Sequence, residues 1–466
     1  CRGRGACVTT VPEGWSAWRE RLVARIDAVD ATTLLADDRL RSKAALVVMD
    51  DLAAMLVGAT HPEVVALGRA FSSPASPGEA TTVLGGRGAR DKTAALNAAA
   101  CGWDELDEGY RPATCHGGLY TVPAAAAEGE ATGRTVGDVL TAVVVGYEVV
   151  TAFARAFPAP RPLVLHPHAT LSPIGAAAAV AWLRTGSGEA VMAAVDVAAT
   201  LSMSGPFSHA ISGAQVRNAW AGAGAVLGFL AVDLATAGLN GEPTGAVDVF
   251  ASGYGQAADD AEIAGRDEPT SWAILDGYHK VYAACQYTHS ALEASLELAH
   301  GDLMDVPSAD IAEVVVETHP LAYSLDNTEP TTTLAGKFSL PHVVGAVLAT
   351  GRTDPSVFDE SLLHDETVAR LRGLVRIEAF DPLPEAPHDR PARVTVRRTD
   401  GSSSEVVVLS AVGGPDRPLE EQQVLGKIAD LTSAAPAFAP LARALVAGRE
   451  LDARPWHDLV TEAWQR

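Results

Sequence analysis

The run LVLHPHATLSPIGAAAAVAWL, Leu163 to Leu183, decides how the chain is read. An apolar stretch stops at His166, Pro167 and His168, and a helix opens directly after them. Thr170 or Ser172 can cap it, Pro173 suits its first position, and the small residues from Gly175 to Ala179 carry it on. A row of glycine and alanine makes a thin helix that neighbours approach closely, so this one is expected at the centre of a bundle. Its amino end leaves N–H groups unpaired and carries partial positive charge, which suits a carboxylate or a phosphate. His166 and His168 read either as proton carriers beside that anion or as loop residues ahead of a capped core helix.

Helical periodicity surrounds this segment. Trp15, Trp18, Leu22, Ile26 and Val29 share one helical face, and a second helix is expected from Arg41 to Gly58. Further helices are expected over 91–102, 124–132, 135–157, 188–203 and 216–238, the last a long small-residue segment. Ser72 to Arg90 reads as a loop with a short strand at Thr81 to Leu84, and Trp103 to Pro123 as an irregular polar stretch. The character changes after Ser271. IAEVVVET from Ile311, LVRIEA from Leu374, ARVTVR from Ala392 and EVVVL from Glu405 read as strands, the last two as a hairpin around Asp400-Gly401. Helices are expected at 290–300 and 340–350, and the tail from Leu419 to Arg466 is helical again. The expected fold is mainly α: a large all-helical domain built from both chain ends, 1–275 and 413–466, with an inserted smaller α+β lid domain, 276–412.

At 466 residues the chain is long enough for more than one domain and a large core. Its residues are 48% hydrophobic and only 6% aromatic, with alanine dominant, which favours packed helices. The formal charge of -23 argues against nucleic acid or an anionic membrane as partner, since either needs a basic face. An acidic substrate must therefore be drawn in by a local basic cluster. Glycine, proline or charge interrupts the apolar runs, and none reads as a membrane span. Cys1, Cys7, Cys101, Cys115 and Cys285 are scattered without zinc or iron–sulfur spacing. Sparse cysteine fits a reducing cytoplasm, and the opening CRGRGACVTTVPEG holds no apolar core of signal-peptide length.

Chemistry-bearing residues gather at helix starts. Glu105, Asp107, Glu108, Tyr110, Arg111 and His116 occupy the irregular stretch, where carboxylates can orient a histidine and tune it for acid–base work, or form a solvated acidic loop. Arg217 opens the small-residue helix and reads as a bidentate carboxylate clamp or as a surface arginine. KVYAACQYTHSALEA from Lys280 sets Lys280, Tyr287 and His289 ahead of a helix, which suits an anion or a hinge. No third ligand of recognisable spacing joins His166 and His168, so no metal is expected.

These segments together resemble the MmgE/PrpD family, which includes 2-methylcitrate dehydratase, cis-aconitate decarboxylase and iminodisuccinate epimerase. The resemblance runs through DDLAAMLVGA from Asp50, HGGLYTVPAAAAEGE from His116, LHPHATLSPIGAAAAVAWL, GAGAVLGFLAVDLATAGLNGEP, KVYAACQYTHSALEA and EPTTTLAGKFSLPHVVGAVLATG. It implies a cofactor-free lyase, a dehydratase or decarboxylase and a homodimer, acting on a small polycarboxylate between a helical domain and a lid, with an isomerase or epimerase on a similar acid, or a non-catalytic binding relative, as the alternatives. Carried over by position, His116 matches the histidine after the acidic loop, His166 opens the HPT-like element and Lys280 is the lid-side lysine. Glu105 falls on a usual aspartate, Asp107 two places later is as expected, and Arg217 stands for a lysine. Tyr110, Arg111, His168, Thr170, Tyr287 and Lys337 complete the implied substrate contacts. The departures are Gly109 for a threonine, Arg111 for a histidine, His168 for a threonine and His342 for an aromatic, which implies polycarboxylate chemistry on a changed substrate. Dehydration, decarboxylation and epimerisation all pass through an enolate-like species formed next to a carboxylate.

Overall fold

Small side chains set how closely the helices meet. Those of eight residues or more are α1 (Trp15–Asp27), α2 (Asp38–Gly58), α3 (Pro62–Phe71), α4 (Arg90–Cys101), α5 (Gly117–Ala131) and α6 (Val136–Ala156). They continue as α7 (Ser172–Thr185), α8 (Gly188–Thr200), α9 (Val216–Thr236), α10 (His289–His300), α11 (Leu340–Thr350) and α12 (Glu366–Gly373). The tail adds α13 (Glu421–Leu431), α14 (Phe438–Ala447) and α15 (Trp456–Ala463). This computed structural model describes residues 10–465 apart from 30–31, 33–34, 73–77 and 266–270; Cys1 and Cys7 lie outside the described residues.

Helix α7 is central, packed on α5, α6, α8 and α9, with every residue from Ser172 to Leu183 buried. A Cβ added at Gly228 of α9 would come within 2.5 Å of the Ala176 Cβ, and one at Gly224 would overlap the Ser172 hydroxyl. The α7–α9 approach is therefore one that only glycine allows. The C-terminal helices join the same core: α13 and α14 pack on α2, α15 packs on α5 and α6, and Val424, Phe438 and Trp456 share it.

Several expectations need correction. Neither Thr170 nor Ser172 caps α7; Leu171 precedes it without a side-chain cap. A separate helical turn, Pro167–Thr170, comes first, and His166 caps that turn. Thr170, Ser172 and Pro173 are buried there, so the amino end of α7 offers no opening to an anion. The irregular polar stretch also ends earlier, because α5 starts at Gly117 and holds Pro123 in its interior. Burial of all residues from Gly117 to Glu130 overrides the turn preference of the Gly-Gly pair and the lost proline hydrogen bond. Among the described residues two helices, α6 and α9, are long and apolar enough to cross a membrane, contrary to the reading that no run qualifies. Scattered glycines leave their mean hydropathy high. The apolar window of α6 is 94% buried inside the protein and that of α9 50%.

The strands are fewer. β1 (Ala80–Thr81) pairs with β2 (Arg87–Gly88) in place of the strand expected at 81–84. β3 (Gly109–Tyr110) pairs antiparallel with β4 (Gly277–Tyr278). The α+β part holds β5 (Ile311–Thr318), β6 (Val375–Ala379), β7 (Ala392–Arg398) and β8 (Ser403–Val408), in the order β6-β5-β7-β8. β5 and β6 run parallel across a connection that contains α11 and α12. β7 and β8 form the expected hairpin, with Gly401 at φ 86° in its turn. A second core gathers Leu298, Val314, Phe338, Val344 and Val394, and it also takes in Phe207 and Ala210 from the turn before α9. The chain is mainly α, 56% helical.

Gly224→Val is expected to force α7 and α9 apart and lower the thermal midpoint by several degrees, an overpacking cost of about 1–3 kcal/mol. An unchanged midpoint would contradict the close approach.

Candidate active site

Pairing of Gly109 with Tyr278 brings the acidic loop against the segment that carries Lys280. Between them lies a cavity that opens to solvent. Glu105, Tyr110, Arg111, His116, His166, Arg217, Lys280 and Tyr287, all picked out in the sequence, line it. Asp107 lies beneath, fully buried, and joins two of them.

His116 precedes α5, and its Nδ1 lies 2.6 Å from Asp107 Oδ2 and 3.0 Å from the Glu108 carbonyl oxygen. Both neighbours can only accept, so Nδ1 carries the proton and Nε2 keeps the lone pair in the neutral ring. Nε2 makes no hydrogen bond to a described residue. That is the arrangement of a general base with its orienting carboxylate.

His166 is placed differently. Arg217 Nε donates to its Nε2 at 3.1 Å, and the His168 N–H points at its Nδ1 at 3.2 Å. A neutral imidazole accepts at one nitrogen only, so one of these two contacts is a hydrogen bond at a time and the ring's lone pair is engaged either way. Burial and the Arg217 charge hold its pKa well below the usual histidine range. His166 thus orients Arg217.

Four charged groups make the floor. Arg217 Nη1 is ion-paired with Glu105 Oε1, and Lys280 Nζ lies 3.2 Å from Asp107 Oδ1 and 3.5 Å from Glu105 Oε2. Arg217 is therefore a buried residue rather than a surface one, and its charge is already answered. Burial alone would raise the Glu105 and Asp107 carboxyls; the Arg217 and Lys280 charges, with the hydrogen bond from His116 to Asp107, reverse this and hold both below the usual range. Burial would equally lower Lys280, and Asp107 and Glu105 reverse that too, so the ammonium stays charged. Glu105 sits at φ 57°, a left-handed conformation that costs a non-glycine residue about 1 kcal/mol or more.

Glu108 turns away, accepting from the Gly118 N–H at 2.5 Å and from the Tyr147 hydroxyl at 2.8 Å. Burial pushes its carboxyl up to about 7 against those two bonds.

Besides Asp107, three candidates lie off the cavity lining. His168 is buried, with Nδ1 2.8 Å from the Tyr120 hydroxyl, its ring edge-on to His116. Thr170 is buried in the turn behind it. Lys337 binds the Asp104 carboxylate at 2.5 Å and the Trp103 carbonyl at 3.1 Å, which ties the α+β part to the helical body and leaves the ammonium no substrate to meet.

Sequence reasoning missed Tyr278, Arg161 and Arg390, which all line the cavity. A Cβ at Gly109 would fall 2.6 Å from the Tyr278 ring and hydroxyl, so the tyrosine occupies the space that a threonine at 109 would need. The missing side chain at 109 was the one available signal. Arg161 and Arg390 sit in proline-rich loops with no motif around them.

Residues 24–262 match the MmgE/PrpD N-terminal domain and residues 282–446 match the MmgE/PrpD C-terminal domain. The chain belongs to the MmgE/PrpD family. That family includes dehydratases among its lyases. No curated protein matches the sequence. Tyr278 and Lys280 fall between the two matched segments of this MmgE/PrpD chain, and α13 and α14 fall inside the second although they pack on α2.

Glu108 sets a pH dependence of stability. Its folded pKa lies above the ordinary 4.5, so its contribution is fully present below that value and is lost as pH rises through about 7. Glu108→Gln should therefore gain stability relative to the parent between pH 5 and 8, by an amount on the order of 3 kcal/mol. A difference in denaturation midpoint that stays flat across that window would contradict the assignment.

Proposed function

We propose that the protein is a cofactor-free lyase, a dehydratase or decarboxylase, acting on a small di- or tricarboxylic acid by proton transfer next to a carboxylate. The observation that carries this is the His116–Asp107 pair, 2.6 Å apart, with Nε2 unengaged on an arginine-rich cavity. His116 Nε2 takes the proton from the carbon beside a substrate carboxylate, and Asp107 balances the imidazolium that forms. Charged Lys280 lies next to Asp107, where it supports the enolate-like charge on the substrate.

Tyr278 is the complementary acid. Burial raises its pKa, so the phenol stays protonated, and its hydroxyl makes no hydrogen bond to a described residue. It can give its proton to a hydroxyl that departs as the C–H bond breaks; in the decarboxylase branch no C–H bond breaks, and the electron pair left on carbon when carbon dioxide departs takes the proton from Tyr278 or from protonated His116. The same first step serves an epimerase on similar acids, and the substituent on the next carbon decides the branch. Arg217 and Lys280, each paired with Glu105, shape the floor rather than acting as free clamps for a carboxylate.

The expected homodimer belongs to the same proposal. Helix α9 leaves Val216, Ala223 and Leu230 exposed along one face, and a second copy is the occupant we assign to it. Light scattering that reads the mass of one chain would overturn that assignment.

His116→Ala is expected to lower turnover of the acid substrate by about 10²-fold or more in a chain that still folds, its thermal midpoint lowered by the hydrogen bond that buried Asp107 loses. Tyr278→Phe should lower kcat by about 10-fold or more and move KM little. Full activity in the alanine variant would sink the proton-transfer role.

A further inference from the structure

Charge is balanced on the floor of the cavity and unbalanced at its mouth. On the floor, Arg217 and Lys280 are answered by Glu105 and Asp107. At the mouth, Arg111, Arg161 and Arg390 face a single carboxylate, Asp389, which accepts from Arg111 at 2.8 Å and lies 3.7 Å from Arg390 Nε. Arg161 has only neutral partners among the described residues, the Tyr287 hydroxyl at 3.1 Å and the Thr114 hydroxyl at 2.9 Å. Arg111 Nε and Nη1 are buried without a hydrogen-bond partner among the described residues. Arg390 stands over the Tyr287 ring, 5.1 Å from its centroid, and is held at φ 52°. Among the described residues, only Glu105 and Arg390 are non-glycine residues with positive φ, and both line this cavity. Backbone strain held at a cavity wall marks side chains whose aim matters.

We propose that Arg161 and Arg390, with Arg111 beside them, form a carboxylate subsite at the mouth, and that the substrate carries an acidic group held there, away from the carbon that His116 deprotonates. Guanidinium groups present paired N–H donors that match a carboxylate edge, and these three have donors to spare. The two positive charges left after Asp389 is counted also supply the local basic cluster that a chain of charge -23 needs to admit a polyanion. Arg390 comes from the α+β part and Arg161 from the helical body, so the bound acidic group bridges the two.

The inference rests on the lyase reading, and the test separates them. Calorimetric titration of the full chain with citrate, succinate, propionate and inorganic phosphate needs no turnover. Wild type is expected to bind citrate at least about 10-fold more tightly than propionate, and Arg161→Gln and Arg390→Gln each to weaken citrate about 10-fold or more. Arg161→Lys should fall between, and thermal midpoints should confirm that the variants are folded. Unchanged citrate affinity in both glutamine variants overturns the subsite. So does a wild type that binds no acid more tightly than the double variant, and so does tighter binding of phosphate than of citrate. A fully active His116→Ala would end the proton-transfer reading while the titration still decides the subsite.

Discussion

Glu105 and Asp107 are carboxylates buried in the protein, and a buried carboxylate persists as an anion only where cations and hydrogen bonds replace the water it has lost. Arg217, Lys280 and His116 supply that replacement, and they come from three separate parts of the chain. The start of α9, the segment after β4 and the turn before α5 are therefore drawn to one point. The left-handed backbone at Glu105 persists because its two oxygens are held from two sides, by Arg217 and by Lys280. Removing either cation would leave a charge stranded in the interior, a far larger loss than any surface ion pair represents.

The same network separates two histidines that look alike in sequence. His116 faces acceptors at Nδ1, which fixes its proton there and frees the other nitrogen. His166 faces donors at both nitrogens, which keeps it neutral and turns it into a support for Arg217. Gly109 and Tyr278 form a comparable exchange. A small residue on one strand makes room for a phenol from its partner strand, so a hydroxyl absent from the acidic loop is delivered from across the pairing.

The helical body was legible because glycine and alanine dominate α7 and α9 and apolar residues recur at helical spacing in α1 and α2. The start of α5 was not, since Gly117, Gly118 and Pro123 carry turn signals that only the burial of the whole segment overrides. At the site, the acidic loop, His116, Arg217 and Lys280 could be found from residue type and motif. Lys337 was drawn in by the same motif reading, yet its ammonium answers Asp104. Tyr278, Arg161 and Arg390 gain their meaning from long-range pairing of loops, which leaves no periodicity and no fixed spacing in the sequence.

Proton abstraction beside a carboxylate is the step on which the functional account rests. The direct measurement is NMR of citrate, 2-methylcitrate, cis- and trans-aconitate and imino-linked diacids incubated with wild-type protein in deuterated buffer. The account predicts deuterium at a carbon adjacent to a carboxylate in at least one of these acids, with loss of water or carbon dioxide naming the branch. Hydrated, decarboxylated or epimerised product with no deuterium at that carbon, or no exchange and no product from any acid in the set, would contradict it.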